Sequence, residues 1–474
     1  MQGAGKTSLL TKFGQEHFKR VYTVDLSNDK TRKSLNKDLA KTYENRHEDD
    51  YSKGYADEVF KRQIPGFVDD KDSFLIIDEV RESDVAGYYS RKILQGLDAT
   101  VAFTASFGDE AGSHKPLGFP AEDVDEFNVL PVTYREFSNS VEALAEYVSI
   151  KDFTRSNPDP HSLKIIKDSK AYFDFFFELG GFPDILMDGL SNGIEHALTK
   201  REEALDLYVS IVAENSKMGL TDEKWRKAIG CFALCMLFCT DSEAFDLFEA
   251  GENVPLFLTE SLMHSLEAWF LKSGCLESVS VTPKTNSSYN RKHVFSNYEI
   301  LSRLADVSGM PELKAQLKER QAKEMALVLT ELLSLKDLYE ERRLAAYHLG
   351  EGADLKEIGF SLVTKQGAKV VIDVKGALDR EIAPPDTSIE TWVPDFIVKI
   401  SEGTAFVHGN AFSMPMHNID RLPLIIQLIE IAHTNRMSLE KAYARYASGL
   451  KDDVRLHDFS RAIPGLRYQA DYFR

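Results

Sequence analysis

A glycine-rich hexapeptide near the start of the chain has the residues needed to bind a phosphate group. It reads GAGKTS. Gly5 lets the backbone approach an anion closely, and the amide groups of the hexapeptide would point at that anion from the positive end of the following helix. Lys6 would neutralise the β- and γ-phosphates of a nucleotide, and Thr7 would ligate Mg²⁺. The predicted phosphate-binding residues are Gly3, Ala4, Gly5, Lys6, Thr7 and Ser8.

Two acidic residues follow a strand-like apolar run further along the chain. The run FLII is typical of a strand buried on both faces, and Asp78 and Glu79 come directly after it. Asp78 is predicted to hold Mg²⁺, usually through water, and Glu79 to polarise the attacking water. The next predicted strand leads to Ser106, which would sense the γ-phosphate. Each pattern alone also fits a purely structural interpretation: the loop could be a glycine turn, and the acids could cap a buried strand and face solvent. Their joint occurrence indicates nucleotide hydrolysis.

Strand and helix patterns alternate over residues 1–140, which predicts a P-loop ATPase domain built on a parallel α/β sheet. The pattern turns helical from about Thr133, and we expect a helical lid region over 141–245. The predicted elements of the first domain are a helix over Thr7–Phe18 and strands over Arg20–Leu26, Ser73–Asp78, Thr100–Ala105 and, more weakly, Phe127–Val132.

A helix followed by two strands predicts a winged-helix-like unit over 246–310. The helix is Thr259–Lys272, and the strands are Leu276–Val281 and Lys292–Phe295. The helix is poor in positive charge, so the sequence does not support binding in the major groove of DNA. Residues 311–474 form the last predicted domain.

Composition narrows the class of protein. The 474 residues carry a net charge of −18, which argues against a protein that mainly coats nucleic acid. No apolar run is long enough to span a bilayer, and we expect a cytoplasmic protein with no membrane partner. Cys231, Cys235 and Cys239 share one stripe of an apolar helix, which favours a buried helix over a metal site.

A series of motifs in the same order resembles AAA+-type P-loop ATPases that carry a C-terminal domain of unknown function. The motifs are GAGKTSLL, FLIIDEV, FTAS, LPVTYREF at Leu130–Phe137 and ELGGFPDIL at Glu178–Leu186. The last two match a Pro-(aliphatic)-(Ser/Thr)-aromatic-Arg-Glu-Phe element and a Gly-Gly-(Phe/Tyr)-Pro turn of that family. The resemblance spans nearly the whole chain, loosens after Leu186, and implies ATP and Mg²⁺ as ligands.

In that family the C-terminal part resembles a restriction-endonuclease core. Its metal-binding signature has counterparts here in Glu357, Asp373 and Lys375, but Gly359 stands where the first metal-binding acid is expected. Glu357 lies two residues before Gly359, and on a regular strand both would face the same side. We expect this degenerate nuclease-like site to be inactive, because a single Asp373 is a weak Mg²⁺ site.

The loop motif is only the second half of the pattern G-x-x-x-x-G-K-[ST]. Its first glycine would fall one residue before Met1, and the strand leading into the loop is missing too. We therefore expect an N-terminally shortened form with weakened phosphate binding.

The favoured hypothesis is an ATP-hydrolysing switch that acts on an unknown partner, either a protein or DNA. A non-hydrolysing interaction scaffold and an ATP-gated DNA nuclease remain alternatives. The sequence leaves the oligomeric state open. It offers three arginine-finger candidates by residue type alone: Arg81, Arg91 and Arg135.

Overall fold

The computed structural model describes most of the chain. The described residues are 4–44, 55–81, 84–88, 93, 95–105, 125, 129–140, 160–215, 222–241, 259–272, 276–282, 291–295, 297–316, 319–339, 344–349, 356–374, 392–400 and 405–449. They divide into two compact units. The first is Met1–Val129, Asp206–Arg226 and Leu258–Cys275; the second is Leu130–Leu205, Lys227–Phe257 and Leu276–Arg474.

Helices and strands alternate early in the chain and group later. The first part contains α1 Lys6–His17, β1 Arg20–Asp25, α2 Asp29–Glu44, α3 Tyr55–Gln63, β2 Ser73–Asp78, α4 Val85–Tyr88 and β3 Thr100–Phe103. Helices follow: α5 Tyr134–Ser140, α6 Pro160–Leu179, α7 Pro183–Asn192, α8 Ile194–Asn215, α9 Asp222–Asp241 and α10 Glu260–Lys272.

The remaining elements belong to the second unit. They are β4 Leu276–Thr282, β5 Arg291–Phe295, α11 Tyr298–Asp306, α12 Pro311–Lys314, α13 Glu319–Leu333, β6 Ala345–Leu349, β7 Lys356–Val363 and β8 Lys369–Asp373. After them come β9 Phe396–Ile400, β10 Phe406–His408, β11 Ala411–Met414, a 3₁₀ helix Met416–Arg421, α14 Leu422–Thr434 and α15 Leu439–Gly449.

The first unit contains a three-stranded parallel sheet in the order β1-β2-β3, which confirms the predicted parallel α/β arrangement. All six residues of β2 are buried, because this strand has a neighbour on each side and helices cover the sheet. The predicted strand over Phe127–Val132 is wrong for the part that the structure describes. Residues 129–132 are irregular, Pro131 has no amide hydrogen, and Val132 donates its N–H to the Gly181 carbonyl instead.

The second unit contains a mixed sheet whose strand order is β10-β11-β9-β8-β7-β6-β4-β5. The two strands predicted after the Thr259–Lys272 helix are present as β4 and β5, and they pair antiparallel. β4 also pairs in parallel with β6, so this hairpin is one edge of the larger sheet. The winged-helix interpretation stays a prediction.

Candidate functional site

The start of α1 has the backbone conformation that the phosphate-loop interpretation requires. Gly5 is the residue before the helix and has φ 81° and ψ 19°, a left-handed conformation that favours glycine. Its carbonyl accepts the first helical hydrogen bond, from Leu9 N at 3.0 Å. Ala4 is buried and Ser8 is exposed, whereas Gly3 lies outside the described residues. The first turn of α1 contains no acidic side chain that would repel an anion.

Gly14 fixes α1 closely against the sheet. A Cβ atom on Gly14 would lie 2.6 Å from Phe74 Cδ1 and 2.9 Å from Val21 Cγ2, so a larger residue has no room there. Phe18, just after the helix, stacks on Phe74 with ring centres 5.0 Å apart. These contacts set the position of α1 relative to β1 and β2, and so the position of Lys6 and Thr7 at its first turn.

Asp78, the last residue of β2, accepts hydrogen bonds from two hydroxyl groups in different parts of the chain. Thr7 Oγ1 lies 2.8 Å from both carboxylate oxygens, and its single hydrogen is shared between them. Thr104, directly after β3, donates its hydroxyl to Asp78 Oδ1. The structure therefore brings together the two predicted magnesium ligands, Thr7 and Asp78.

Glu79 lies beside Lys6 in a strained backbone conformation. Lys6 Nζ is 3.6 Å from Glu79 Oε1, and both side chains are largely buried. Glu79 has φ 57°, which is uncommon for a residue with a side chain and recurs at functional sites. Its amide donates to Thr104 Oγ1 at 2.9 Å, which stabilises the turn. The polar side chain that the structure shows at the end of β3 is therefore Thr104. The sequence predicted Ser106 for this position, and Ser106 lies outside the described residues.

A buried polar cluster fixes the segment after Glu79, and no pattern in the sequence indicates it. Asp84 is buried and accepts hydrogen bonds from Arg81 N and from Asn36 Nδ2, both at 2.9 Å. Arg32 Nε lies 3.5 Å from Asp84 Oδ1. Because Arg32 and Asn36 belong to α2, the turn that follows Glu79 is held to a second helix.

The donor set fits a magnesium-bound nucleotide. Mg²⁺ prefers oxygen ligands and commonly takes one or two protein groups together with phosphate oxygens and water. Thr7 and Asp78 supply a hydroxyl and a carboxylate, and Lys6 supplies a positive charge at a helix N-terminus. Within the described part of the chain, no group of three or more His, Cys, Asp or Glu residues forms a closed metal site.

The arginine-finger candidates have different surroundings. Arg81 is partly buried and Arg91 lies outside the described residues. Arg135 is buried in the second unit, where its amide donates to Glu331 Oε1 at 3.1 Å and its guanidinium to Ser334 Oγ at 3.4 Å. These contacts give Arg135 a structural role in its own unit.

The sequence VTYREF forms a reciprocal helix cap. Thr133 N donates to Glu136 Oε2 at 2.8 Å, and Glu136 N donates to Thr133 Oγ1 at 3.1 Å. Tyr134 packs edge-on against Phe173. Val132, the residue before the cap, contacts the Gly-Gly turn so closely that a Cβ on Gly181 would lie 2.6 Å from the Val132 carbonyl oxygen. Two of the motifs that carried the family resemblance, LPVTYREF and ELGGFPDIL, are therefore in direct contact.

Glu331 is a fully buried acid next to this helix. Burial raises its pKa to about 8, although the positive charge of Arg135 acts in the opposite direction. Burial also raises the pKa of Asp420, in the 3₁₀ helix packed nearby. The charged form of Glu331 is thus disfavoured in the folded protein at neutral pH.

The backbone at Gly359 decides whether this nuclease-like position could carry an acid. Gly359 pairs with Asp373 across β7 and β8, and its φ of 151° is one that residues with side chains rarely adopt. A Cβ at this position would overlap the Ile372 carbonyl oxygen and lie 3.0 Å from Val374 N. The backbone therefore leaves no space for the missing acid. Lys375 lies outside the described residues.

A β-bulge in β7 contradicts the expectation that Glu357 and Gly359 face the same side of the strand. Tyr347 pairs with Gly359, but His348 pairs with Glu357, so Ile358 is an extra residue in β7. The two-residue alternation that placed Glu357 and Gly359 on one side does not continue across this bulge. Ile358 packs with Tyr347, Val371 and Ile397 in an apolar cluster, and Asp373 is fully buried.

The cysteine prediction is confirmed for the two cysteines whose side chains the structure describes. Cys231 and Cys235 are buried in α9. Burial raises the pKa of Cys235 to about 12 and also raises that of Cys231, so the neutral thiol is favoured at neutral pH.

Comparison with protein-family models, with curated proteins and with solved structures finds no match for this chain. Among the described helices, none combines the length and the apolar character needed to cross a bilayer.

Proposed function

We propose that the first unit binds and hydrolyses ATP with Mg²⁺ and that the protein is a nucleotide-driven switch of the AAA+-type P-loop class that its motifs resemble. The observation that carries the proposal is the pair of contacts at one end of the parallel sheet, Thr7 with Asp78 and Lys6 with Glu79. Ligands of open α/β sheets bind beyond the carboxyl ends of the strands, which is where these four residues lie. The proposed location is the cytoplasm, where ATP and Mg²⁺ are available.

Each of the four side chains has a defined task in this proposal. Lys6 binds the β- and γ-phosphates, and the amides of the first turn of α1 orient them. Thr7 and Asp78 would hold Mg²⁺, which would supply positive charge against the charge developing on the phosphates. Glu79 accepts a proton from the attacking water.

The contact between Lys6 and Glu79 suggests how the site responds to nucleotide. Without a phosphate group, the Lys6 ammonium is neutralised by the Glu79 carboxylate 3.6 Å away. Phosphate binding takes Lys6 away from Glu79, and the carboxylate becomes available to a water molecule. The strained backbone of Glu79 is bound to Thr104, so a change at Glu79 also reaches the end of β3.

We propose that the second unit engages the partner without cutting DNA. Its mixed sheet contains the positions that resemble a restriction-endonuclease core. The exclusion of a side chain at Gly359, the bulge at Ile358 and the burial of Asp373 support a structural or binding role for that core.

Substitution of Lys6 and Glu79 tests the proposal. Lys6→Ala should abolish binding of a fluorescent ATP analogue, because the charge that meets the phosphates is lost. Glu79→Gln should bind ATP at least as tightly as the original chain, since Lys6 is released, while phosphate release slows by a factor of about 10² or more.

Lys19→Ala is the matched control. Lys19 pairs with Asp72 at the opposite end of β2, and both side chains are exposed. This variant should bind and hydrolyse ATP like the original chain. Unchanged nucleotide affinity in Lys6→Ala, with the fold intact by circular dichroism, would remove the loop from the site. Nucleotide binding without turnover in the original chain would favour the scaffold alternative.

A further inference from the structure

The second unit contains a charged pocket that is not part of the ATP site. It has a volume of about 370 Å³ and lies between α6, α8, α11 and α13. Its walls include Phe177, Arg201, Arg303, Lys314 and Lys323. The volume falls in the lower part of the range of small-molecule sites, roughly 300–1,000 Å³.

The charged side chains that line the pocket differ in exposure. The side chains of Arg201, Lys314 and Lys323 are 16%, 17% and 17% exposed, and among the lining acids only Glu299, at 10%, is as little exposed. Other lining acids, such as Glu202 at 45% and Asp306 at 43%, are more exposed. The least exposed lining charges are therefore three cations and one anion, although the lining as a whole has five cations and five acids.

The more exposed acids are weak competitors for these cations. Glu202 accepts from Arg201 Nη2 at 2.8 Å, and Asp306 accepts from Lys314 at 2.6 Å, but both acids face solvent. Ion pairs with an exposed partner contribute little to stability because water screens them. An incoming anion with more than one charge can therefore take over part of their hydrogen bonding.

The Gly-Gly turn defines two walls of the pocket. The carbonyl of Glu178 accepts a hydrogen bond from Arg201 Nη1. Gly180 has φ +80°, and a Cβ there would lie 3.0 Å from the carboxylate carbon of Glu299. Glu299 in turn binds Lys323 Nζ at 2.8 Å, and Lys323 lies 4.7 Å from the centre of the Phe177 ring. The turn thus fixes Arg201 on one side of the pocket and the pair of Glu299 and Lys323 on the other.

We propose that this pocket binds the phosphate group of a small molecule. A phosphate monoester carries about −1.5 to −2 charges at neutral pH and could replace the exposed Glu202 and Asp306 as the partner of Arg201 and Lys314. Arg201 and the two lysines supply N–H donors of the kind that bind phosphate oxygens, while Phe177 offers an apolar surface for the rest of the molecule.

Calorimetry on the Lys6→Ala variant of the whole 474-residue chain tests the proposal, because this background removes phosphate binding at the ATP site. The probes are inorganic phosphate and adenosine monophosphate, titrated separately at low ionic strength. Saturable binding of either one is the expected result; binding of phosphate by itself would mean that the anion is sufficient. Lys314→Gln and Arg201→Gln should each weaken binding by about tenfold, the loss of one hydrogen bond to a charged group.

Arg320→Gln is the matched control, since Arg320 lines the same pocket but is 71% exposed and pairs with Glu324. Its affinity should stay within about twofold of the background chain. The proposal is overturned if neither probe binds the Lys6→Ala chain, or if all three pocket variants bind alike.

Thermal unfolding gives a second measurement that needs no pocket variant. A ligand that binds only the folded state raises the melting temperature as its concentration increases. Because concentrated phosphate stabilises folded proteins in general, it is compared with chloride at equal ionic strength and only at millimolar concentration. Phosphate should then raise the melting temperature of the Lys6→Ala chain more than chloride does, and equal effects would contradict a specific site. Failure here would leave the ATP assays on the original chain unaffected, so the two proposals are tested separately.

Discussion

A side chain at Gly359 should destabilise the protein because the backbone there has no room for one. The positive φ alone costs a residue with a Cβ about 1–2 kcal/mol. Overlap of the new Cβ with the Ile372 carbonyl oxygen adds an overpacking cost of about 1–3 kcal/mol. We expect Gly359→Ala to lower the free energy of unfolding by about 2–5 kcal/mol, a large share of the roughly 5–15 kcal/mol that stabilises a typical protein.

Gly367, in the turn between β7 and β8, provides the control. It has φ +87°, but a Cβ there would meet no atom within 4 Å. Gly367→Ala should therefore lose only the conformational part, about 1–2 kcal/mol. Urea unfolding followed by circular dichroism measures both variants, and their difference isolates the cost of the close contact.

Gly359→Asp extends the test to the nuclease-like site. Restoring the acid should cost at least as much stability as alanine does, and it should not produce Mg²⁺-dependent cleavage of plasmid DNA. If Gly359→Ala and Gly367→Ala agree within about 0.5 kcal/mol, the steric argument fails. If Gly359→Asp is as stable as the original chain and cuts DNA, the interpretation of the core as a binding module fails with it.

Three further changes test other contacts. Glu331→Gln should flatten the pH dependence of the melting temperature. In the original chain the neutral Glu331 side chain stabilises the fold below its ordinary pKa of about 4.3, and this stabilisation is lost as pH rises towards its raised pKa of about 8. An unaltered slope in the variant would contradict the burial argument. Gly14→Ala should weaken ATP binding severalfold by moving α1 away from Phe74, measured with a fluorescent ATP analogue, and an undisturbed affinity would show that the close contact does not position the loop. Thr133→Ala should lower the free energy of unfolding by about 0.5–2 kcal/mol through loss of the helix cap, whereas Thr199→Ala, which removes an exposed hydroxyl within α8, should have little effect.

The candidate ATP site was accessible from sequence because its signals are local. Gly5 and Lys6 are adjacent in the chain. The apolar run before Asp78 predicts a buried strand, and the first polar residues after the run mark its end. A strand and a helix need only short-range periodicity to be recognised. The joint occurrence of a phosphate loop and an acidic strand end predicted that the two would act together.

The partners of those residues were not accessible in the same way. Thr104 belongs to the FTAS motif, but only the structure shows its bond to Asp78. The Arg32–Asp84 pair holds the segment after Glu79, and no spacing in the chain marks it. The contact between Lys6 and Glu79 depends on how closely α1 approaches the sheet, which Gly14 decides through packing.

The amino-acid sequence by itself determined the α/β class, the parallel arrangement of the early strands and the residues at the end of β2, because periodicity and side-chain chemistry act over a few neighbouring positions. Only the tertiary structure decided which face of β7 each residue occupies. One extra residue at Ile358 reverses the alternation, and nothing in the sequence around it signals a bulge. It also decided that the least exposed charges lining the pocket are mostly cations. The exposure of each side chain depends on contacts among helices that are far apart in the chain, while the net charge of the whole protein is strongly negative.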